Sequence, residues 1–362
     1  MSAKKSIYAV ITGTGSYIPS VVIKNEDFID NVFMDEKGNR IETPGREIVD
    51  KFEQITDIVE RRVAEPQHVT SDLATFAAEN AIKSANIDPE TLDYIILAHN
   101  LGDMKFGSMY PDILPTLASR VKLKLGIKNP KTVAYDITFG CPGWTQAMIQ
   151  ANYFVKSGDV KRVLVIGADT VSRSSDPHDR DVMIFADGAG AAILEGVESD
   201  KPIGMLKHRA RTDVIDYLDL LKMGNSYNKD LGEESIYLKM LGRKLYNYAL
   251  TYVPEVAKEC LMANDMHLHD VKKVLIHQAN AKMDEAILKR LFKLYGEKKV
   301  DLHVMPMTIS TLGNSSVATI PTLFDLLVKG EIEGHSVQSG DNLMMTSVGA
   351  GMSINAFMYK MP

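Results

Sequence analysis

The sequence predicts an α/β layered fold built from two duplicated halves, and three observations point there. Short β-branched runs alternate with longer amphipathic stretches, the pattern of helices packed on sheets. Two motifs recur in the same order: "DYIILAHN" (93–100) is echoed by "KKVLIHQAN" (272–280), and "FADGAGAAILEG" (185–196) by "TSVGAGMSINAF" (346–357). At 362 residues the chain also exceeds the usual single-core size, which favours two fused units. The reading is a first half over 1–200 and a second over 201–362.

Taken in order, the first-half strands are "IYAVITG" (7–13), "LDYIILAH" (92–99), "KTVAYDIT" (131–138), "KRVLVIGAD" (161–169) and "AGAAILEG" (189–196). A helical pattern fills 71–86, with Ser71 as its expected N-cap. The polar region from about 200 to 234 reads as the connection. In the second half the strands are "KKVLIHQ" (272–278), "DLHVMPMT" (301–308), "NLMMTSVG" (342–349) and "MSINAFMY" (352–359), with helices over 237–264 and 281–296. Each Gly-Ala-Gly reads as a turn opening an apolar strand.

Composition narrows the function. Hydrophobic residues make up 45% and charged residues 24%, as in ordinary globular proteins. A net charge of −6 and a pI near 5.9 argue against nucleic acid as the main partner. Two cysteines, Cys141 and Cys260, cannot build a disulfide scaffold and suit a reducing compartment. The N-terminus lacks the apolar core of a signal peptide, and no segment reaches the roughly 20 apolar residues of a membrane span. The expectation is a cytoplasmic protein. His267 and His269 lack a third ligand at recognisable spacing, so no metal centre is read.

Cys141 follows a strand and precedes residues at helical spacing (Trp144, Ala147, Met148, Ala151). Pro142 suits the first helical turn. A thiol at the positive end of a helix is expected to favour thiolate relative to an ordinary pKa of about 8.5. The alternative fate of a cysteine is a small buried hydrophobe, and Cys260, within "VAKECLMAN", reads that way. Two further elbows carry His277, at the end of "VLIHQAN", and Asn314, in "LGNSSVATIP". All three residues are expected just past the carboxyl ends of apolar strands, the edge where α/β active sites gather.

"CPGWTQAM", "FADGAGAAIL", "HQAN" and "GNSSVATIP", in this order, resemble the β-ketoacyl-acyl carrier protein synthase III family of thiolase-fold condensing enzymes. The similarity runs from "ITGTGSYIPS" to the last strand. It implies a thiolase-like five-layer α-β-α-β-α sandwich, usually homodimeric. It also implies ping-pong chemistry through an acyl-Cys141 intermediate, with no cofactor and with acyl-CoA or acyl carrier protein thioesters as substrates. The backbone N–H groups of Cys141 and Ala350 would hold the first oxyanion, and His277 and Asn314 would stabilise the extender enolate. On the helix after "HQAN", Lys282, Lys289, Arg290 and Lys293 fall near one face. Family members dock the acidic carrier protein there; the other reading is a solvated charge cluster.

Several departures mark a specialised relative. Where family members place a Trp and an Arg around coenzyme A, "VDKFEQITDIVERR" offers Lys51 and Ile55. Val348 stands where decarboxylating members often have Phe. The stretches 34–46 and 100–115 are longer than usual, and in the family the second reaches across the dimer to the acyl pocket. Non-decarboxylative transfer to an oxygen, nitrogen or β-ketoacyl acceptor is therefore the alternative to Claisen condensation. A non-catalytic acyl-binding subunit is a further class, opposed by the intact Cys, His and Asn set. A hydroxymethylglutaryl-CoA synthase would need a general acid–base Glu that no position here supplies by sequence.

Overall fold

The computed structural model describes residues 5–362; residues 1–4 of the N-terminal stretch, weighed as a signal peptide, lie outside them. Strand β1 (Ser6–Tyr17) opens the fold, and β2 (Val21–Lys24) pairs with β3 (Glu60–Val63) as a short ribbon. With β4 (Tyr94–His99), β5 (Val133–Thr138), β6 (Arg162–Thr170) and β7 (Asp187–Ser199), β1 forms a five-stranded sheet in the order β1-β7-β6-β4-β5. Strands β5, β4 and β6 are parallel, and β7 is antiparallel to both β6 and β1. A second sheet collects β8 (Gly204–Thr212), β11 (Val271–Ile276), β12 (Asn342–Gly349) and β13 (Ser353–Lys360), in the order β11-β12-β13-β8. Between β8 and β11 the chain forms a ribbon of β9 (Leu221–Asn225) and β10 (Ile236–Met240).

Strand pleat sends alternate side chains to different layers. Ile96 and Leu194 of the first sheet, with Leu275, Met345 and Phe357 of the second, enclose two central helices through Trp144, Met148, Leu323 and Phe324. Those helices are the ones over Gly143–Ser157 and Thr319–Val328. On the opposite face of the first sheet, Ile95, Leu97 and Ile166 meet Leu73, Ala77, Ala81 and Val121 of the helices over Thr70–Ala85 and Leu117–Lys124. On the outer face of the second sheet, Val274, Met344 and Met358 meet Val253, Ala257, Ile287 and Leu291 of the helices over Gly242–Ala263 and Ala281–Leu294. The result is five layers, α-β-α-β-α. Both faces of each sheet are covered, which is why β4, β6 and β12 read as near-continuous apolar runs.

Five local expectations change. Ser71 lies inside its helix, and Val69 is the N-cap; the Ser71 hydroxyl instead donates to Asp103. The stretch 237–240 belongs to β10 and the helix starts at Gly242. "DLHVMPMT" forms a single 3-10 turn at Leu302–Val304 and then a loop, because Pro306 has no N–H to offer a ladder. The expected connection begins with a strand, β8, whose Lys207, Arg209 and Arg211 face outward on a sheet edge. Finally, Gly188–Gly190 lies within β7, paired to both neighbours, whereas Gly349–Gly351 does make the turn between β12 and β13.

Candidate active site

Cys141 sits at the elbow between β5 and the central helix, preceded by Gly140 at φ +71°, a left-handed conformation that suits glycine. The Gly143 N–H donates to the Gly140 carbonyl at 2.9 Å and Gln146 N–H to that of Pro142 at 2.9 Å, closing the first turn. The β12–β13 turn presses directly on this elbow. A Cβ added at Gly349 would lie 2.7 Å from the Cys141 nitrogen, and one at Gly140 would lie 3.0 Å from the Ala350 nitrogen. Only glycines permit that approach, and it brings the Cys141 and Ala350 backbones to one corner.

His277 ends the neighbouring unit. Its N–H donates to the Thr346 carbonyl at 2.9 Å, which fixes it beside β12. The rest of "HQAN" builds the support. Gln278 is wholly buried, donates to the Pro306 carbonyl (2.9 Å) and accepts from Thr308 N–H (2.8 Å), tying down the loop after the 3-10 turn. Asn280 caps the next helix, its Oδ1 accepting from Met283 N–H at 3.0 Å. Asn314 is clamped by a backbone bridge to Phe185, Asn314 N–H donating to Ile184 and Ala186 N–H to Asn314. Its Oδ1 accepts from Ser316 N–H at 2.9 Å. That leaves the amide NH₂ free to donate.

Cys141, His277, Asn314 and Ala350 line one cavity of about 440 Å³, a volume in the range of small-ligand pockets. Its walls are mostly apolar: Leu221, Met223, Leu238, Met240 and Val348 among them. Burial governs the titrations. His277 is driven down to about 4 by desolvation alone, so at neutral pH it is uncharged, and its Nδ1 has no partner. The Cys141 thiol is pushed up to about 11 by desolvation; a hydrogen bond from Ser316 opposes this and the Asp169 charge adds to it. Desolvation thus works against the thiolate-favouring effect expected of the helix end at this elbow. Cys260 is buried, with Sγ 3.4 Å from the Ala356 carbonyl oxygen, a core residue as its sequence context predicts.

Residues 135–213 match the sequence profile described as 3-oxoacyl-[acyl-carrier-protein (ACP)] synthase III, and residues 261–361 match its C-terminal counterpart. A β-ketoacyl-[acyl-carrier-protein] synthase III 1 of Vibrio vulnificus is 34% identical over 349 residues, covering 96% of this chain and 98% of that protein. The chain belongs to the 3-oxoacyl-[acyl-carrier-protein] synthase III family. The protein of the same name from Vibrio cholerae is 34% identical, covering 98% of this chain and all of the relative. Among solved structures, the 3-oxoacyl-[acyl-carrier-protein] synthase III of Aquifex aeolicus superposes with a TM-score of 0.78 at 30% identity, covering 97% of this chain and 99% of that one. The thiolase-like fold and the enzyme class, an acyltransferase of the condensing type, follow from that membership.

The family context gives meaning to the outer part of the site. A second cavity of about 860 Å³ shares Met240, Leu245, Ala279, Met283 and Asn314 with the first and opens between the 34–37 loop and the helix over Gly45–Thr56. Lys51 and Ile55 line it, as does Arg180, which no sequence motif marks. Lys282, Lys289, Arg290 and Lys293 are all exposed on the helix that follows this mouth. Lys289 is paired with Glu285 at 2.9 Å. Arg243 and Lys244 are also exposed, at the start of the neighbouring helix, and Arg243 lines the mouth. Their signal is present in "GRKLY", but a helix starting at 237 buries it mid-helix, whereas the start at Gly242 puts both at an N-terminus. No helix of the described residues is long and apolar enough to cross a membrane.

Proposed function

We propose that this chain condenses acyl thioesters by a ping-pong route through Cys141. The observation that carries this is that Cys141, His277, Asn314 and the Ala350 backbone line one cavity. In the first half-reaction Cys141 sulfur attacks the donor thioester carbonyl. The new C–S bond replaces the old one, and the departing thiolate takes up the proton that the cysteine gave up. The oxyanion formed on the way accepts from the Cys141 and Ala350 N–H groups, whose backbones the two glycines bring together. In the second half-reaction the extender thioester develops enolate charge as its carboxylate departs as carbon dioxide. The Asn314 NH₂ and a His277 ring N–H are suited to it, since neither needs to change its charge. The new carbon–carbon bond then forms at the acyl carbon while the bond to Cys141 sulfur breaks, returning that sulfur as thiolate. No cofactor enters these steps.

The donor is an acyl carrier protein thioester rather than acyl-CoA. Supporting this, the mouth offers Lys51 and Ile55 instead of an aromatic ring at those positions, while a basic rim of Lys282, Lys289, Arg290, Lys293, Arg243 and Lys244 faces outward. The active form is a homodimer. Strand β5 is a free sheet edge with Val133 exposed, and Phe106, Tyr110 and Leu114 stand 68–78% exposed on the long loop before it, a combination that favours pairing with a second copy. Two free cysteines fit a cytoplasmic setting.

Val348, buried in the cavity wall, supports one competing reading, transfer without decarboxylation. Intact-protein mass spectrometry after incubation with acyl-CoA and acyl-carrier thioesters tests the route. The wild type and Cys260→Ala should gain the acyl mass, and Cys141→Ala should not; labelling of Cys141→Ala would reject the nucleophile. Malonyl thioesters then separate the two outcomes, since condensation releases carbon dioxide in proportion to product and transfer leaves them inert.

A further inference from the structure

Behind Cys141 lies a polar chain that the roles above do not use. The Ser316 hydroxyl lies 3.3 Å from Cys141 Sγ and is oriented to donate to it. That direction is enforced from the other side, because Asn100 Nδ2 donates to the same hydroxyl oxygen at 2.7 Å. Asn100 is itself held twice by Asp169, whose Oδ2 accepts from Nδ2 at 2.5 Å and whose Oδ1 accepts from the Asn100 N–H at 2.8 Å. With its oxygen accepting from Asn100, Ser316 has one proton to give, and the acceptors around it are the Cys141 sulfur and the Asp169 carboxylate, which Asn100 engages twice.

The backbone supports the same reading. Ser316 adopts φ +55°, one of five non-glycine residues at positive φ among the described residues. A left-handed serine costs conformational energy, and such strain persists where surrounding structure imposes it. Here it lets one residue do two things: the hydroxyl meets Cys141 while the N–H holds Asn314 Oδ1. Ser316 is 3% exposed and Asp169 2%, so both contacts are made inside the protein at the cavity wall.

We infer that Ser316 is a fourth catalytic residue, its hydroxyl donating to Cys141 sulfur as the thiolate forms, with Asn100 and Asp169 as the positioning residues that aim it. The inference rests on Cys141 being the nucleophile. It gives the enclosed thiol a compensating donor. The charged or titratable groups at this corner are Asp169 on β6, which opposes the thiolate, His99 on β4, which acts on Asp169, and His277, which is neutral. Ser316 therefore supplies the hydrogen bond, and Asn100 keeps Asp169 occupied.

The test is the pH dependence of Cys141 alkylation by iodoacetamide, read by peptide mass, in wild type, Ser316→Gly, Ser316→Ala and Asn100→Leu. Loss of the hydroxyl, or of its aim, should slow alkylation below the thiol pKa about tenfold and move the profile up by about one unit. Ser316→Gly is the decisive variant. Glycine accepts φ +55° and keeps the N–H that holds Asn314, so its melting temperature should be unchanged or higher while reactivity falls. Discharge of pre-formed acyl-enzyme by extender should slow as well, because Cys141 sulfur leaves as thiolate in that step and loses the same donor. Wild-type alkylation in both Ser316 variants across the pH range would overturn the inference while leaving Cys141 as nucleophile. Absence of Cys141 labelling in the wild type would overturn both.

Discussion

His99 and His277 end corresponding strands in the two sheets, β4 and β11, and the chain treats them in opposite ways. His99 is saturated: Nε2 meets Asp136 at 3.2 Å and Nδ1 accepts from Gly102 N–H at 3.0 Å. His277 is equally buried, yet its Nδ1 has no partner and the residue lines the cavity. The difference arises from the polar groups around each strand end. Near the end of β4, the Leu117 and Ala118 N–H groups also converge on Asp136, so that carboxylate organises a helix N-terminus and absorbs the histidine. After β11 no carboxylate is supplied, and Gln278 satisfies the adjacent loop on its own. A strand end becomes a reactive position when the surrounding polar groups are satisfied without it.

Breaking this contrast should have the largest effect. His277→Ala and Asn314→Ala should still accumulate acyl-Cys141 but lose product formation by about 10²–10³, the scale of a lost oxyanion donor. His99→Leu should lower the melting temperature, at a cost of about 1–3 kcal/mol for unpairing buried polar groups, with product formation per folded molecule at the wild-type level. Rapid-quench mass spectrometry of the acyl-enzyme together with a product assay reads both. Normal turnover in both donor variants would remove His277 and Asn314 from the chemistry.

The same contrast explains how far the sequence is legible. Strands β4, β6, β7, β11, β12 and β13 stand out because covered strands are apolar, and the edge strand β5 through its β-branched run before Cys141. Cys141, His277 and Asn314 stand out because each sits at a strand or helix end beside a glycine, proline or amide. β8 does not, since an edge strand carrying Lys207, Arg209 and Arg211 has the composition of a loop. β10 merges into a helix because its five residues continue the helical spacing after it. Asn100 is a short polar residue in a bend and Ser316 opens the 3-10 turn Ser316–Ala318, with no periodicity to mark either; only the 3.3 Å and 2.7 Å contacts separate them from ordinary turn residues.

A second carboxylate sharpens the comparison at smaller scale. Asp136 in the first half is fully bonded; Asp284, on the helix after His277, is wholly buried with neither oxygen paired. Desolvation raises its pKa well above the usual carboxylate value. The folded state therefore binds this proton more tightly than the unfolded chain. The protonated form is tolerated below the unfolded pKa. As pH rises from there toward the folded pKa, stability falls by about 1.4 kcal/mol per unit. Asp284→Asn removes that titration, so the difference between its melting temperature and the wild type's should grow in the variant's favour as pH rises above the ordinary carboxylate value of about 4. A constant difference across that range would mean the carboxyl is partnered after all.

The smallest effects are expected on the rim, and they can be ranked. The helix over Ala281–Leu294 rises about 1.5 Å per residue, which places Lys293 roughly 16 Å along the axis from Lys282. Lys282 neighbours Asn280 and Met283, which line the mouth, so a carrier delivering its thioester must pass it. Lys289 is already neutralised by Glu285, and reversing it changes a pair rather than a free charge. Reversal of an exposed charge about 8 Å from its partner in water shifts the interaction by about 1 kcal/mol. Lys282→Glu should therefore raise KM for acyl-carrier substrates about fivefold, Arg290→Glu somewhat less, and Lys289→Glu or Lys293→Glu least. None of these should change KM for a small acyl thioester, and added salt should shrink the differences as screening shortens to a few ångströms. Equal effects on carrier and small substrates would mean this face is only solvated, and the ranking would vanish with it.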